Sequence, residues 1–340
     1  MSRTLAVRLD NEGDVLLTGP ALRALAATTD ILDVLVSPAG SSAAKLLPGV
    51  SEKLEFDAPW SGFAPPPVDA AATRDLVGAL ACRGYDRCVI FTSFHQSPLP
   101  MALLARLAGI DHVVATSVDY PGSLLDVRHQ RPDGVHEVDA ALDLAYAAGG
   151  RLPAGDDGRL SVRGPLPDVT DLVPDERYVV VHPGASVPSR ALLPEHARAM
   201  VAAIAATGRT VVVTGADGEQ DLTATAAGSS DAVDLGGRTS FDELAAVLAH
   251  AECVVVGNTG PAHLAAAVGT PVVSLFSPVV PADLWAPYGV DVVLLGDQHA
   301  ACAGTRARQC PVPGHPCLSG VPPEAVVAAV AELSMSREAA

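Results

Sequence analysis

The feature that most constrains this chain is the rhythm of its apolar residues. Short β-branched runs alternate with Ala- and Leu-rich stretches, and the series is played twice. In the first series Thr4–Leu9, Ile31–Val36 and Arg87–Phe91 read as strands. Val15–Ala27, Ser41–Leu47 and Pro100–Ala108 read as the helices between and after them, with Leu16, Leu22 and Leu25 near helical spacing. The second series has strands at Tyr178–His182, Thr210–Thr214, Cys253–Val256 and Pro271–Phe276. Its helices are Pro194–Ala206, Phe241–His250 and Pro261–Val268, and Pro323–Leu333 closes the chain. Strand–helix alternation of this kind predicts α/β architecture, a parallel sheet wound with helices on both faces.

Between the two series, Arg151–Glu176 is rich in Pro, Gly and Asp and reads as a linker holding one brief strand. A chain of 340 residues is long for one core and suits two domains of about 150 residues each. The expected domains are 1–165 and 175–322, followed by a helix and tail over 323–340. Aromatic residues are 4% of the chain, so the cores must be built from Ala, Val and Leu.

Charge excludes several partners. The chain carries 22 Lys+Arg against 39 Asp+Glu, a formal net charge of -17. A nucleic-acid binder needs a basic face, and so does a protein that docks on anionic lipid. No apolar run reaches the roughly 18 residues of a membrane span, and the N-terminus lacks the apolar core of a signal peptide. Six cysteines in this length make no disulfide scaffold. The expectation is a soluble cytoplasmic protein.

Four loops carry candidate chemistry. Arg8-Leu9-Asp10-Asn11-Glu12-Gly13-Asp14 follows the first strand, where open α/β sheets gather ligands. Gly13 allows a tight turn there, and Asp14 is either the N-cap of the next helix or a general base. His182-Pro183-Gly184-Ala185-Ser186 with Arg190 is either an ordinary turn or a phosphate loop. Glu219, after Gly215-Ala216-Asp217-Gly218, is either a solvated first-turn residue or an acceptor for ribose hydroxyls. Asn258-Thr259-Gly260-Pro261-Ala262-His263 places Pro at the first helical position behind a hydroxyl and free N–H groups, a ready anion site. Cys302, Cys310 and Cys317 cluster in sequence with His299 and His315 but contain no Cys-x-x-Cys pair, so a zinc site and a set of packed thiols both fit. The dinucleotide, P-loop and nucleophile-elbow fingerprints are absent from the sequence.

In this order the motifs resemble glycosyltransferase family 9, the ADP-heptose:lipopolysaccharide heptosyltransferases, over about residues 3–333. Asn258-Thr259-Gly260-Pro261-Ala262-His263-Leu264-Ala265-Ala266 is similar to the family's Asp-Thr-Gly-Pro-x-His-Leu-Ala-Ala segment. Gly13-Asp14-Val15 matches its N-terminal Gly-Asp-Val, and His182–Ser186 its donor-phosphate loop. The chain departs from the family pattern at Asn258 (usually Asp), Arg190 (usually Lys), Leu192 (usually Trp) and Thr305 (usually Cys).

The resemblance implies a GT-B architecture, two Rossmann-like domains facing across a cleft, and an inverting transfer that needs no metal and no cofactor. It implies Asp14 as general base. A nucleotide-sugar donor, ADP-heptose, would meet Ser186, Arg190, Glu219, Asn258, Thr259, Gly260 and His263 in the C-terminal domain. An acceptor would meet Ser93, His95 and Gln96 in the N-terminal one. The acidic balance raises an alternative acceptor, a soluble cationic aminosugar in place of lipopolysaccharide. A nucleotide-sugar-binding protein without catalysis and a nucleotide-sugar epimerase are the readings from other classes.

Overall fold

The structure is a computed structural model that describes residues 1–62, 64–93 and 96–339, with 336–339 described as backbone alone. The chain divides into two compact units, Met1–Arg163 and Gly164–Ala340.

The first unit is built on six strands: β1 Arg3–Arg8, β2 Ile31–Val36, β3 Glu52–Glu55, β4 Arg87–Phe91, β5 His112–Thr116 and β6 Val127–His129. All pairings are parallel, and the order across the sheet is β3-β2-β1-β4-β5-β6. The second unit repeats this with β7 Tyr178–His182, β8 Thr210–Gly215, β9 Val233–Gly236, β10 Cys253–Gly257, β11 Val272–Leu275 and β12 Val292–Leu295. Its order is β12-β11-β10-β7-β8-β9, the same winding. Parallel neighbours need crossover helices, which cover both faces, so the central strands are buried throughout. Each residue of β7 and β10 is buried.

In both sheets the chain reverses its direction of travel beside the first strand. The reversal lies between β1 and β4 in one unit and between β7 and β10 in the other. At such a point the two flanking loops leave in opposite directions and open a crevice at the carboxyl ends of the strands. Fold alone therefore singles out the loops after Arg8, Phe91, His182 and Gly257.

The cores are largely aliphatic, as the composition requires. Val179, Val181, Val213, Val255 and Val273 meet Met200, Ile204, Val326 and Val330 in the second unit. Helix Pro323–Ala339 thus belongs to that core. Tyr178 and Phe276 are fully buried aromatics, and the Tyr178 hydroxyl donates to the Val247 carbonyl at 2.8 Å.

Three local expectations change. The helix expected over Val15–Ala27 is two helices, Glu12–Leu17 and Gly19–Ala26. Pro20 breaks it: proline has no N–H to give and its ring crowds the carbonyl four residues back. Thr18 bridges the break, its hydroxyl donating to the Asp14 carbonyl at 2.9 Å. Gly13 lies inside the first of these helices and makes no turn. Among the described residues, 151–176 hold no strand.

Candidate active site

At the crevice of the first unit, β1 ends on Arg8, whose side chain is 5% exposed. Its Nε lies 2.8 Å from Asp10 Oδ2, and its Nη2 donates to Asp14 Oδ1 at 2.9 Å and to Ser93 Oγ at 3.2 Å. Gln96 closes the ring from the β4 side. Its amide nitrogen donates to Asp10 Oδ1 at 2.6 Å and its oxygen accepts the Ser93 N–H at 3.2 Å. A buried charge survives only when paired and hydrogen-bonded. Burial pulls the Arg8 guanidinium down, but Asp10, Asp14 and Glu137 outweigh it and hold it above its ordinary value.

Asp14 is not the N-cap. Asn11 holds that position, and Asp14 sits in the first turn with its carboxylate turned to Arg8. Glu12 opens the same helix, and burial pushes its carboxyl up to about 7. Of the expected acceptor residues, Ser93 and Gln96 join this network, whereas His95 lies outside the described residues. A small pocket of ≈ 40 Å³ opens beside it, with Arg8, Gln96, Thr116, Arg131 and Glu137 among its walls.

At the crevice of the second unit, His182 ends β7 and is buried. Its Nδ1 lies 2.9 Å from Thr214 Oγ1, and its Nε2 is 3.9 Å from Glu219 Oε2. Burial pulls the imidazole below its ordinary value while Glu219 pulls the other way. Glu219 takes the Ala216 N–H at 2.9 Å and lies flat over Gly184. A Cβ at 184 would stand 2.2 Å from the Glu219 carboxyl carbon, so glycine is what admits the carboxylate. Ser186, two residues on, is exposed.

Gly257 ends β10 against the Arg190 carbonyl, 2.5 Å from where a Cβ would be. The Arg190 guanidinium donates to the Asn258 carbonyl at 3.5 Å. Thr259 is the N-cap of helix Gly260–Ala267, with extended backbone and a side chain that makes no cap bond. Pro261 occupies the first turn and His263 is buried within it. Asn258 turns inward. Its Nδ2 donates to the Ser277 carbonyl at 3.1 Å and its Oδ1 accepts the Ser277 N–H at 3.1 Å. The amide thereby carries the β10–β11 pairing past the strand ends, and both of its polar atoms are spent on the scaffold.

The late cysteines are free thiols, with Cys302 and Cys317 buried and Cys310 half-buried. Burial pushes the Cys317 thiol up to about 11. Among the described residues no three His, Cys, Asp or Glu side chains are placed to hold a metal ion. His315 is instead tied to the scaffold, its Nε2 3.0 Å from the Ser189 carbonyl.

Residues 75–315 match the model of glycosyltransferase family 9 (heptosyltransferase), most of the chain. The chain belongs to this family. It is a glycosyltransferase with the GT-B fold. A 106-residue stretch is 33% identical to lipopolysaccharide heptosyltransferase 3 of Escherichia coli, covering 30% of this chain and 31% of that one. The match thus spans about a third of this curated relative. Among solved structures, the ADP-heptose lipopolysaccharide heptosyltransferase II of E. coli aligns over 99% of this chain and 100% of its own, with TM-score 0.76 and 21% identity. A family 9 glycosyltransferase from Veillonella parvula gives TM-score 0.79 at 15% identity, over 98% and 97% of the two chains. The E. coli heptosyltransferase WaaC with ADP gives 0.70 at 22%, over 97% and 99%. Among the described residues no helix of this family member is long and apolar enough to cross a membrane.

Several residues of the site act through their neighbours. Arg8 and Asp10 stood in the quoted motif without a role, yet they fix Asp14. Thr116, His129 and Asp143 gave no signal, because the β5–β6 pairing and the packing of helix Glu137–Ala147 bring them together.

Proposed function

We propose that this glycosyltransferase moves heptose from ADP-heptose to an acceptor hydroxyl with inversion, and that Asp14 takes the hydroxyl proton. The observation that carries this is the Asp14 carboxylate, held by buried Arg8 at the crevice of the first unit. Family membership supports the donor class. In the reaction the acceptor oxygen bonds to the anomeric carbon as its proton passes to Asp14. The bond from that carbon to the diphosphate breaks on the opposite side, and its electron pair leaves with ADP.

The second unit supplies the donor side. Glu219 accepts hydrogen bonds from ribose hydroxyls. Ser186, Arg190, Thr259 and the N–H groups at the start of helix Gly260–Ala267 receive the charge growing on the diphosphate, with Gly260 and His263 in the same turn. These groups serve without a metal ion. Asn258 acts by shaping the loop through Ser277.

A specific observation favours an acceptor that carries an amine. Around the crevice of the first unit Asp10, Asp14 and Glu137 face two guanidinia, Arg8 and Arg131. The local charge is negative, matching the acidic balance of the chain and opposing an anionic lipopolysaccharide core. The deciding experiment offers the purified enzyme ADP-heptose with lipopolysaccharide inner-core oligosaccharide and with soluble aminosugars. Isothermal titration against ADP-heptose, ADP-glucose, and GDP- and UDP-sugars fixes the donor. Transfer to the core alone overturns the aminosugar reading. Sugar-nucleotide turnover with no acceptor bond formed overturns the transferase reading.

A further inference from the structure

The pocket in the first unit has a wall that the transfer mechanism does not use. Thr116 is the last residue of β5, and His129 is its register partner at the end of β6. The Thr116 hydroxyl lies 2.7 Å from His129 Nδ1. The far nitrogen of the same ring, Nε2, lies 2.9 Å from Asp143 Oδ2 on helix Glu137–Ala147. The imidazole is buried and the Asp143 side chain is about half exposed.

Hydroxyl, imidazole and carboxylate therefore stand in one line. A carboxylate can accept and cannot donate, so Nε2 holds the ring proton. In the neutral ring Nδ1 then carries a lone pair, and it takes the proton of the Thr116 hydroxyl. What remains on the Thr116 oxygen is its acceptor capacity. Two of the other polar walls are engaged by the scaffold. Gln96 is spent at both ends on Ser93 and Asp10. Arg131 is spent on Glu137 Oε1 at 2.7 Å and on the Val135 carbonyl at 3.2 Å.

Size narrows the ligand. A space of ≈ 40 Å³ exceeds the ~10–15 Å³ that one water needs, which leaves room for a small polar group. It suits one exocyclic arm.

We propose that Thr116, His129 and Asp143 form a relay that makes Thr116 a fixed hydrogen-bond acceptor, and that the pocket beside it receives an exocyclic hydroxyl or amino group of the acceptor sugar. The inference rests on the first unit being the acceptor side, as proposed above. It adds a specificity-determining residue, Thr116, and two positioning residues, His129 and Asp143.

The test uses the full chain labelled with ¹⁵N, and glucosamine as the probe. Long-range ¹H–¹⁵N spectra at pH 8 should show His129 protonated on Nε2 alone, and Asp143→Asn should release that fixed tautomer. Glucosamine should shift the His129 Nδ1 and Thr116 amide signals in a saturable way. Thr116→Val should weaken this binding at least tenfold, and Thr116→Ser, which restores the hydroxyl, should recover it. A proton on His129 Nδ1, glucosamine that leaves both signals unmoved, or Thr116→Val binding like the native protein each overturns the proposal. Because binding is read without donor, a protein that binds glucosamine here yet transfers to nothing in the acceptor screen loses the transferase mechanism and keeps this subsite.

Discussion

Nη2 of Arg8 lies 2.9 Å from Oδ1 of Asp14, joining the end of β1 to the first turn of the next helix. The arginine side chain is 5% exposed and the aspartate 18%. Such a pair fixes both the direction and the ionisation of the carboxylate. A base that must meet one hydroxyl in one orientation needs the first, and a base that works as an anion needs the second.

Removing the carboxylate should therefore abolish transfer and spare donor binding. Asp14→Asn is expected to lower kcat by about 10²–10⁴-fold, the usual contribution of a general base. Titration calorimetry with ADP-heptose should give an unchanged Kd. A variant with native turnover would remove Asp14 from the mechanism.

Removing the arginine should act through the aspartate. Without its guanidinium partner the carboxylate binds a proton more readily, so the acid limb of the kcat profile in Arg8→Met should move to higher pH. Arg8→Lys keeps the charge and loses the fork, so it should leave the limb near its native position and lower kcat less. A kcat–pH series on the three proteins checks this. An unmoved acid limb in Arg8→Met would uncouple the two residues.

The residues of this site differ sharply in how they could be read. The α/β winding was legible because the central strands are buried on both faces and so appear as unbroken Val-rich runs, such as Val179-Val180-Val181. The edge strands were not. Glu52–Glu55 reads Glu-Lys-Leu-Glu, and pairing along one side is all that makes it a strand. Asp14, Glu219 and Thr259 were legible because each sits within a turn or two of the end of a central strand. Thr116, His129 and Asp143 were not, since 13 and 14 residues separate their contacts, one closed by the β5–β6 register and the other by the packing of helix Glu137–Ala147. Asn258 was legible as a special position, but its inward turn depends on Ser277, a residue with no sequence signal of its own.

Asn258 should prove a scaffold residue first. Its amide both donates to and accepts from the Ser277 backbone, and a carboxylate cannot donate. Asn258→Asp sets an oxygen against the Ser277 carbonyl in a buried site. A loss of about 1–3 kcal/mol is expected, read from denaturant unfolding, because a buried acceptor is left without its donor. Unchanged stability would show that the loop can turn the new side chain outward.

Glu12 gives the fold a pH dependence that runs against the usual one for carboxylates. Its folded value, about 7, lies above the ordinary 4.5. Between these values the folded protein holds a proton that the unfolded chain has released. The stabilising contribution is complete below pH 4.5 and is lost as pH rises through about 7. Glu12→Gln removes the charge that burial penalises. At pH 8 it should stabilise the protein by about 1–2 kcal/mol, after allowance for the partial exposure of the group, and at pH 4 it should change little. Thermal unfolding at the two pH values measures this, and equal effects at both would show that Glu12 is not buried as a charge.

The donor side should answer to a single methyl group. A Cβ at residue 184 would stand 2.2 Å from the Glu219 carboxyl carbon and Oε1, and Glu219 has no room to stay. Gly184→Ala should push the carboxylate off the β7 loop and out of reach of a ribose. The backbone there needs no left-handed conformation, so the cost should fall on ligand binding more than on folding. The expected result is at least a tenfold weaker Kd for ADP by titration calorimetry, matched by Glu219→Gln. The double variant should be little weaker than either single one, because both changes remove the same contact. Additive losses would mean that Gly184 meets the nucleotide itself.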